Sequence, residues 1–96
     1  MGKFSDIVKS STPTLVDFHA TWCGPCQAMM PTIDKLKVKK GGQLRILKID
    51  VDKNQEVAAK YKVRSVPTLI LFKNGEIVWR QAGGMDFNTL VKKTSI

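Results

Sequence analysis

Apolar residues follow two rhythms along this chain, and the switches between them predict its elements. Phe4, Ile7 and Val8 keep helical spacing, so a short first helix is expected, stopping before Pro13. Between Thr14 and Ala20 the rhythm changes: Leu15, Val16, Phe18 and Ala20 are apolar on both faces, as in a strand buried mid-sheet. Cys26, Met29, Met30, Ile33 and Leu36 then recur at three- and four-residue steps, which predicts a helix with one buried face. Pro31 lies inside that pattern and should bend the helix by removing a backbone donor, and Gly41-Gly42 should end it.

The second half repeats the alternation. Leu44–Ile49 reads as a second apolar strand, and strand–helix–strand of this length implies a right-handed parallel unit. Asp52 with Gln55 resembles a capping pair opening a short helix through Val57, Ala58 and Tyr61. Thr68–Phe72 and Ile77–Trp79 flank Asn74-Gly75, a strong hairpin signal. Asp86 should cap a last helix, with Met85 and Leu90 placed as a hydrophobic staple across its start. With no repeat, low-complexity tract or linker, residues 1–96 are expected to form one α/β domain. Its mixed central sheet should carry helices on both faces.

Composition narrows the class. The chain is 43% hydrophobic with ordinary Gly and Pro content, as in a soluble globular protein. Its apolar runs are strand-length, so no membrane span is expected, and the first ten residues lack the apolar stretch of a secretory signal. Met1-Gly2 opens like a myristoylation site, but position six is Asp6 rather than Ser or Thr. A cytoplasmic setting is the expectation. The net charge of +8 favours acidic partners. Its lysines are dispersed, however, and the densest run (Lys35, Lys37, Lys39, Lys40) falls where a helix should end, complementing the helix dipole. Without interleaved aromatics to stack on bases, nucleic-acid binding is not expected.

Candidate chemistry centres on the two cysteines, Cys23 and Cys26. A bridge closing so small a loop would add little stability, which argues for a reactive pair. Cys23 falls where a strand gives way to a helix, so a thiolate there meets unpaired N–H groups and the positive end of the dipole. Cys26, one turn on, can resolve the mixed disulfide that Cys23 forms with a substrate. Pro25 sits early in the helix, where its missing donor costs little. A zinc site is half-present at best, since His19 is the sole histidine and no other cysteine exists. Asp17 interrupts the apolar strand, on the face shared with Leu15 and His19. It is either a buried carboxyl that exchanges a proton with Cys26, or a structural ion pair reaching solvent or a lysine.

The chain resembles the thioredoxin family over nearly its whole length. The likeness runs through Thr14-Leu15-Val16-Asp17-Phe18, Ala20-Thr21-Trp22-Cys23-Gly24-Pro25-Cys26 and Lys48-Ile49-Asp50-Val51-Asp52. It continues through Tyr61-Lys62-Val63-Arg64-Ser65-Val66-Pro67-Thr68 and Phe72-Lys73-Asn74-Gly75, in family order and spacing. The resemblance implies a thioredoxin fold with Cys23 attacking and Cys26 resolving. It gives Asp17 the proton-transfer role, with Lys48 as its partner, and makes Pro67 a cis-proline facing the cysteines. The backbone of Val66 would pair with an extended substrate segment. Trp22, Gly24, Pro25, Val66, Pro67, Gly83 and Gly84 would form a shallow apolar face for disulfide-containing proteins. Trp22 and Val66 could instead be core, and Gly83-Gly84 simply a turn. No cofactor is implied. Electrons would come from a thioredoxin reductase, flavoprotein or ferredoxin-dependent, and a monomer is expected.

Three departures stand out. The family's first strand is missing from the expected order, leaving four strands with Leu44–Ile49 at a sheet edge. That edge is an association hazard unless the charges of Arg45 and Lys48 or a loop protect it. His19 stands where many members carry Trp, and either packs or titrates beside the cysteines. The positive charge suggests altered partner choice. Protein-disulfide reduction is the leading function, motivated by Gly24-Pro25 between the cysteines. A secretory oxidase or isomerase, and a binding module with incidental cysteines, are the competing functions.

Overall fold

The computed structural model describes residues 2–96; Met1, half of the Met1-Gly2 start, lies outside the described residues. The elements follow in the order α1 (Gly2–Val8), β1 (Thr14–His19), α2 (Gly24–Lys40), β2 (Arg45–Asp50), α3 (Gln55–Lys60), β3 (Thr68–Lys73), β4 (Glu76–Ala82) and α4 (Phe87–Lys93), with a 3-10 turn at Gly41–Gln43. Among the described residues the strands form one four-stranded sheet in the order β2-β1-β3-β4. β1 and β2 are parallel; β3 runs antiparallel to both β1 and β4. The expected mixed sheet is present, with β2 at its edge.

Alternation along the two central strands divides the core. Leu15, Leu69 and Leu71 face α2 and α4, where they pack on Met29, Ile33, Leu36 and Leu90. Val16, Phe18, Ile70 and Phe72 face α1 and α3, against Phe4, Val8 and Val57. On that side Phe4, Tyr61 and Phe72 form a tilted and edge-to-face aromatic cluster with ring centroids 5.2–5.9 Å apart. Helices thus cover both faces.

Local chemistry sets most element ends. α2 runs unbroken past Pro31 and stops at Gly41, whose positive φ of 52° turns its N–H back to the carbonyl of Lys37. Lys37, Lys39 and Lys40 occupy the last turn. Asn74 (φ 55°) and Gly75 (φ 82°) make the two-residue hairpin turn, whose N–H groups donate to the carbonyls of Ser10 and of Val8, the last residue of α1. Asp86 caps α4 by accepting a 3.1 Å bond from the Thr89 N–H, and Met85 packs into the cluster containing Leu90.

Two expectations need correction. Asp52 does not cap α3. The N-cap is Asn54, without a side-chain bond, while Gln55 Nε2 donates to the backbone carbonyl of Asp52. The Asp52 carboxylate is engaged elsewhere, by Trp22. Strand β4 also extends well beyond Ile77–Trp79, to Ala82, because its register with β3 continues through Leu69–Gln81 and Thr68–Ala82.

Candidate active site

β1 ends at His19, and the chain turns through Ala20–Trp22 to put Cys23 at the N-cap of α2. The Cys23 N–H returns to the Ala20 carbonyl at 3.2 Å, fixing that turn. Cys23 keeps extended backbone angles (φ −88°, ψ 111°), as a cap must, and Pro25 follows in the first turn. Cys23 and Cys26 are joined by a disulfide, with Cα atoms 5.2 Å apart. The Cys26 N–H points at Cys23 Sγ from 3.1 Å. One of the helix's unpaired donors is therefore aimed at the sulfur that would carry negative charge after reduction.

Both sulfurs are more enclosed than expected. Cys23 exposes 4% of its surface and Cys26 1%, so the expected order holds with a narrow margin. The reason is the cluster of Ala20, Cys23 and Cys26, closed by Val51 and Val66. Val66 and Pro67 approach from the strand side. Their peptide bond is cis, and the Val66 carbonyl oxygen lies 3.7 Å from Cys23 Sγ. The Pro67 carbonyl accepts a 2.7 Å bond from the Gly83 N–H, tying the end of β4 to the same corner. Gly83 has φ +91°, and a Cβ on Gly84 would come within 3.2 Å of Met29 Sδ. Gly83 therefore bends the chain beside Pro67, and Gly84 lies against Met29 of α2. Gly24 and Pro25 are exposed on the helix start.

Trp22 is not a core residue. It is 70% exposed, and its indole Nε1 donates a 2.8 Å bond to Asp52 Oδ2, thirty residues away. Val66 is half-buried against the cysteines. Trp22, Val51, Val63, Arg64, Ser65 and Val66 line a shallow groove alongside them. Val51, Val63, Arg64 and Ser65 were not singled out from sequence, nor was Asp52 as the support of Trp22. Contacts closed by the fold over such separations leave no local pattern to find.

Asp17 is buried, 1% exposed, on the face shared with Leu15. Helix α2 starts at the C-terminal end of β1 and runs back across it, with Met29 and Ile33 packed in the cluster around Leu15. Moving from Leu15 to Asp17 therefore moves towards Cys26. Burial pushes the Asp17 carboxyl above its ordinary range, while His19 and then Lys48 pull it part of the way back. Among the described residues neither carboxyl oxygen has a hydrogen-bond partner. Asp17 thus neither reaches solvent nor forms an ion pair with a lysine among the described residues. The expected Lys48 partnership is only indirect: Lys48 is opposite Asp17 in the β1–β2 register, but its ammonium bonds to Asp34 Oδ1 at 3.1 Å. The outward side of an edge strand is wet, and Asp34 offers a carboxylate there without burial cost.

A disulfide across two intervening residues at a helix start, a backbone donor on its first sulfur and the carbonyl before a cis-proline beside it define a thiol–disulfide oxidoreductase centre. Comparisons with known proteins agree. The family model described as Thioredoxin matches residues 2–95, and the chain belongs to the thioredoxin family. It is 46% identical over 81 residues to thioredoxin of Haemophilus influenzae, covering 84% of this chain and 76% of that one. It is 42% identical over 85 residues to chloroplastic thioredoxin Y of Oryza sativa subsp. japonica, covering 88% of this chain. It is 41% identical over 92 residues to the bifunctional thioredoxin reductase/thioredoxin of Mycobacterium leprae, covering 96% of this chain. The chain spans 51% of the rice protein's length and 20% of the mycobacterial one. The oxidised crystal structure of Saccharomyces cerevisiae mitochondrial thioredoxin 3 superposes with a TM-score of 0.87 at 32% identity, over 97% of this chain and 86% of that one.

Proposed function

We propose that this protein reduces disulfide bonds in other proteins, cycling between the Cys23–Cys26 disulfide and the dithiol. The observation that carries the proposal is the Cys26 N–H held 3.1 Å from Cys23 Sγ at the start of α2. That donor and the helix dipole favour the Cys23 thiolate, the nucleophile of the exchange. Its attack on a substrate disulfide forms one S–S bond and releases one substrate thiolate, which takes up a proton. Cys26 then loses its proton to Asp17 and attacks Cys23 Sγ. The mixed disulfide breaks, the second substrate sulfur leaves, and the Cys23–Cys26 bond closes. A carboxyl with a raised pKa suits a proton that must be accepted and later returned.

An extended substrate segment would lie in the groove beside Trp22 and pair with the backbone of Val66, next to Pro67. Gly24, Pro25, Gly83 and Gly84 leave room around it. Lys48 acts on Asp17 only through its field, from the neighbouring strand. Re-reduction falls to a thioredoxin reductase, flavoprotein or ferredoxin-dependent; the mycobacterial relative carries both names in one chain. A cytoplasmic setting suits this direction of electron flow.

With a dithiol source, the protein should accelerate insulin precipitation, and Cys23→Ser should return the rate to background. Cys26→Ser should leave substrates covalently held on Cys23. An inactive protein with both thiols shown to be reduced would overturn the proposal.

A further inference from the structure

Asp17 is sealed from solvent, yet a carboxyl that takes a proton from Cys26 in each cycle must pass it on. Its neighbour on the same face of β1 is His19, two residues and about 7 Å further along the strand. The His19 ring is half-buried, and its Nδ1, like both oxygens of Asp17, is a buried polar atom with no hydrogen-bond partner among the described residues. Three such atoms on one strand face are unusual, because buried polar atoms are nearly always paired, with internal water taking the place of missing protein partners.

The surrounding elements do not satisfy them. β2 sets Lys48 opposite Asp17 and Asp50 opposite His19. Lys48 is bonded to Asp34 of α2, and Asp50 Oδ1 accepts the N–H groups of Asp52 and Lys53 at 2.9 and 3.3 Å. β3 brings uncharged Thr68 and Leu69 alongside. α2 adds the cysteines themselves. Among the described residues His19 is thus the group on this strand face left without a bonded partner beside Asp17.

We propose that His19 is the proton exit for Asp17, a positioning residue that exchanges protons with it through an internal water. Nδ1 accepts the proton that Asp17 received from Cys26, and the other ring nitrogen gives one up to solvent. The carboxylate is left ready for the next cycle, and on re-reduction the proton returns by the same route. This role rests on the Asp17 step proposed above.

The test compares His19→Gln, His19→Ala and Lys48→Gln in the full chain. The Asp17 carboxyl is followed by carbon-13 NMR in the oxidised protein, which needs no turnover and so reads the pair even if the reductase proposal fails. Removing the imidazole should raise the Asp17 midpoint more than Lys48→Gln does. In single turnover at pH 7, release of substrate from the mixed disulfide should slow about tenfold in both His19 variants. That is less than the roughly 100-fold typical of a group that touches the reacting proton. Added imidazole should restore much of the rate in His19→Ala, an effect that a packing role would not produce. An Asp17 titration moved no more by His19→Gln than by Lys48→Gln, or a slowed His19→Ala that imidazole leaves unchanged, would overturn the proposal. His19→Trp, the residue common in the family, checks folding: were it to match wild type in rate and in the Asp17 midpoint, the exit would also be refuted.

Discussion

The two faces of the central sheet are built from the same strands but do different work. Towards α1 and α3, Val16, Phe18, Ile70 and Phe72 meet Phe4, Val57 and Tyr61 in an apolar, aromatic layer. Towards α2 and α4, the same alternation brings Leu15, Leu69 and Leu71 inward, and also Asp17. Only the second face shares a helix with the disulfide. The contrast teaches where stability was given up: a carboxyl sits unpaired in one layer, where proton transfer can use it, while the other layer carries no such cost.

Substitutions can break or sharpen this contrast. The largest effect is expected from Phe72→Ala, which empties the centre of the aromatic cluster and should cost about 3–5 kcal/mol in urea unfolding. Its redox chemistry per folded molecule should survive. Next comes Asp17→Asn, which should stabilise the protein at neutral pH while slowing the release of substrate from Cys23. A loss of stability there would mean that the carboxylate has found a partner, and the contrast between the faces would collapse.

The same variant gives a pH signature. Asp17 holds its proton more tightly when folded than at its ordinary value of 3.8. Between those two pKa values the folded state binds more protons than the unfolded one, so stability falls as pH rises through the window. Denaturation midpoints of wild type and Asp17→Asn should therefore converge as the pH drops towards 3.8 and separate above it. The smallest effect is expected from Lys48→Met. Its bridge to Asp34 is largely solvent-exposed, so loss should cost less than about 1 kcal/mol. A larger loss would point to direct contact with Asp17.

What was legible in the sequence was what short-range chemistry decides. Asn74-Gly75 names its own turn, Asp86 its own cap, and the position of Cys23 follows from where strand rhythm gives way to helix rhythm. The burial of Asp17 was half-legible: alternation gave its face, but not whether a lysine could reach it. What escaped was set by packing between distant segments. Asp52 looked like a cap because Gln55 follows at capping distance, yet its carboxylate serves Trp22 instead. β4 outran its apolar stretch because pairing with β3, rather than its own pattern, sets its length. The enclosure of Cys23 depends on Val51 and Val66, which reach it only once the sheet has formed.

Helix α2 is a rod of seventeen residues, about 25 Å from end to end, with sulfur at its head and Lys37, Lys39 and Lys40 at its foot. Such a span exceeds two screening lengths at physiological salt, so the lysines exert almost no pull on the thiolate. Evolution, or an engineer, is consequently free to repaint the tail with charge of either sign. The partners the molecule meets can change while the sulfur chemistry stays as it was.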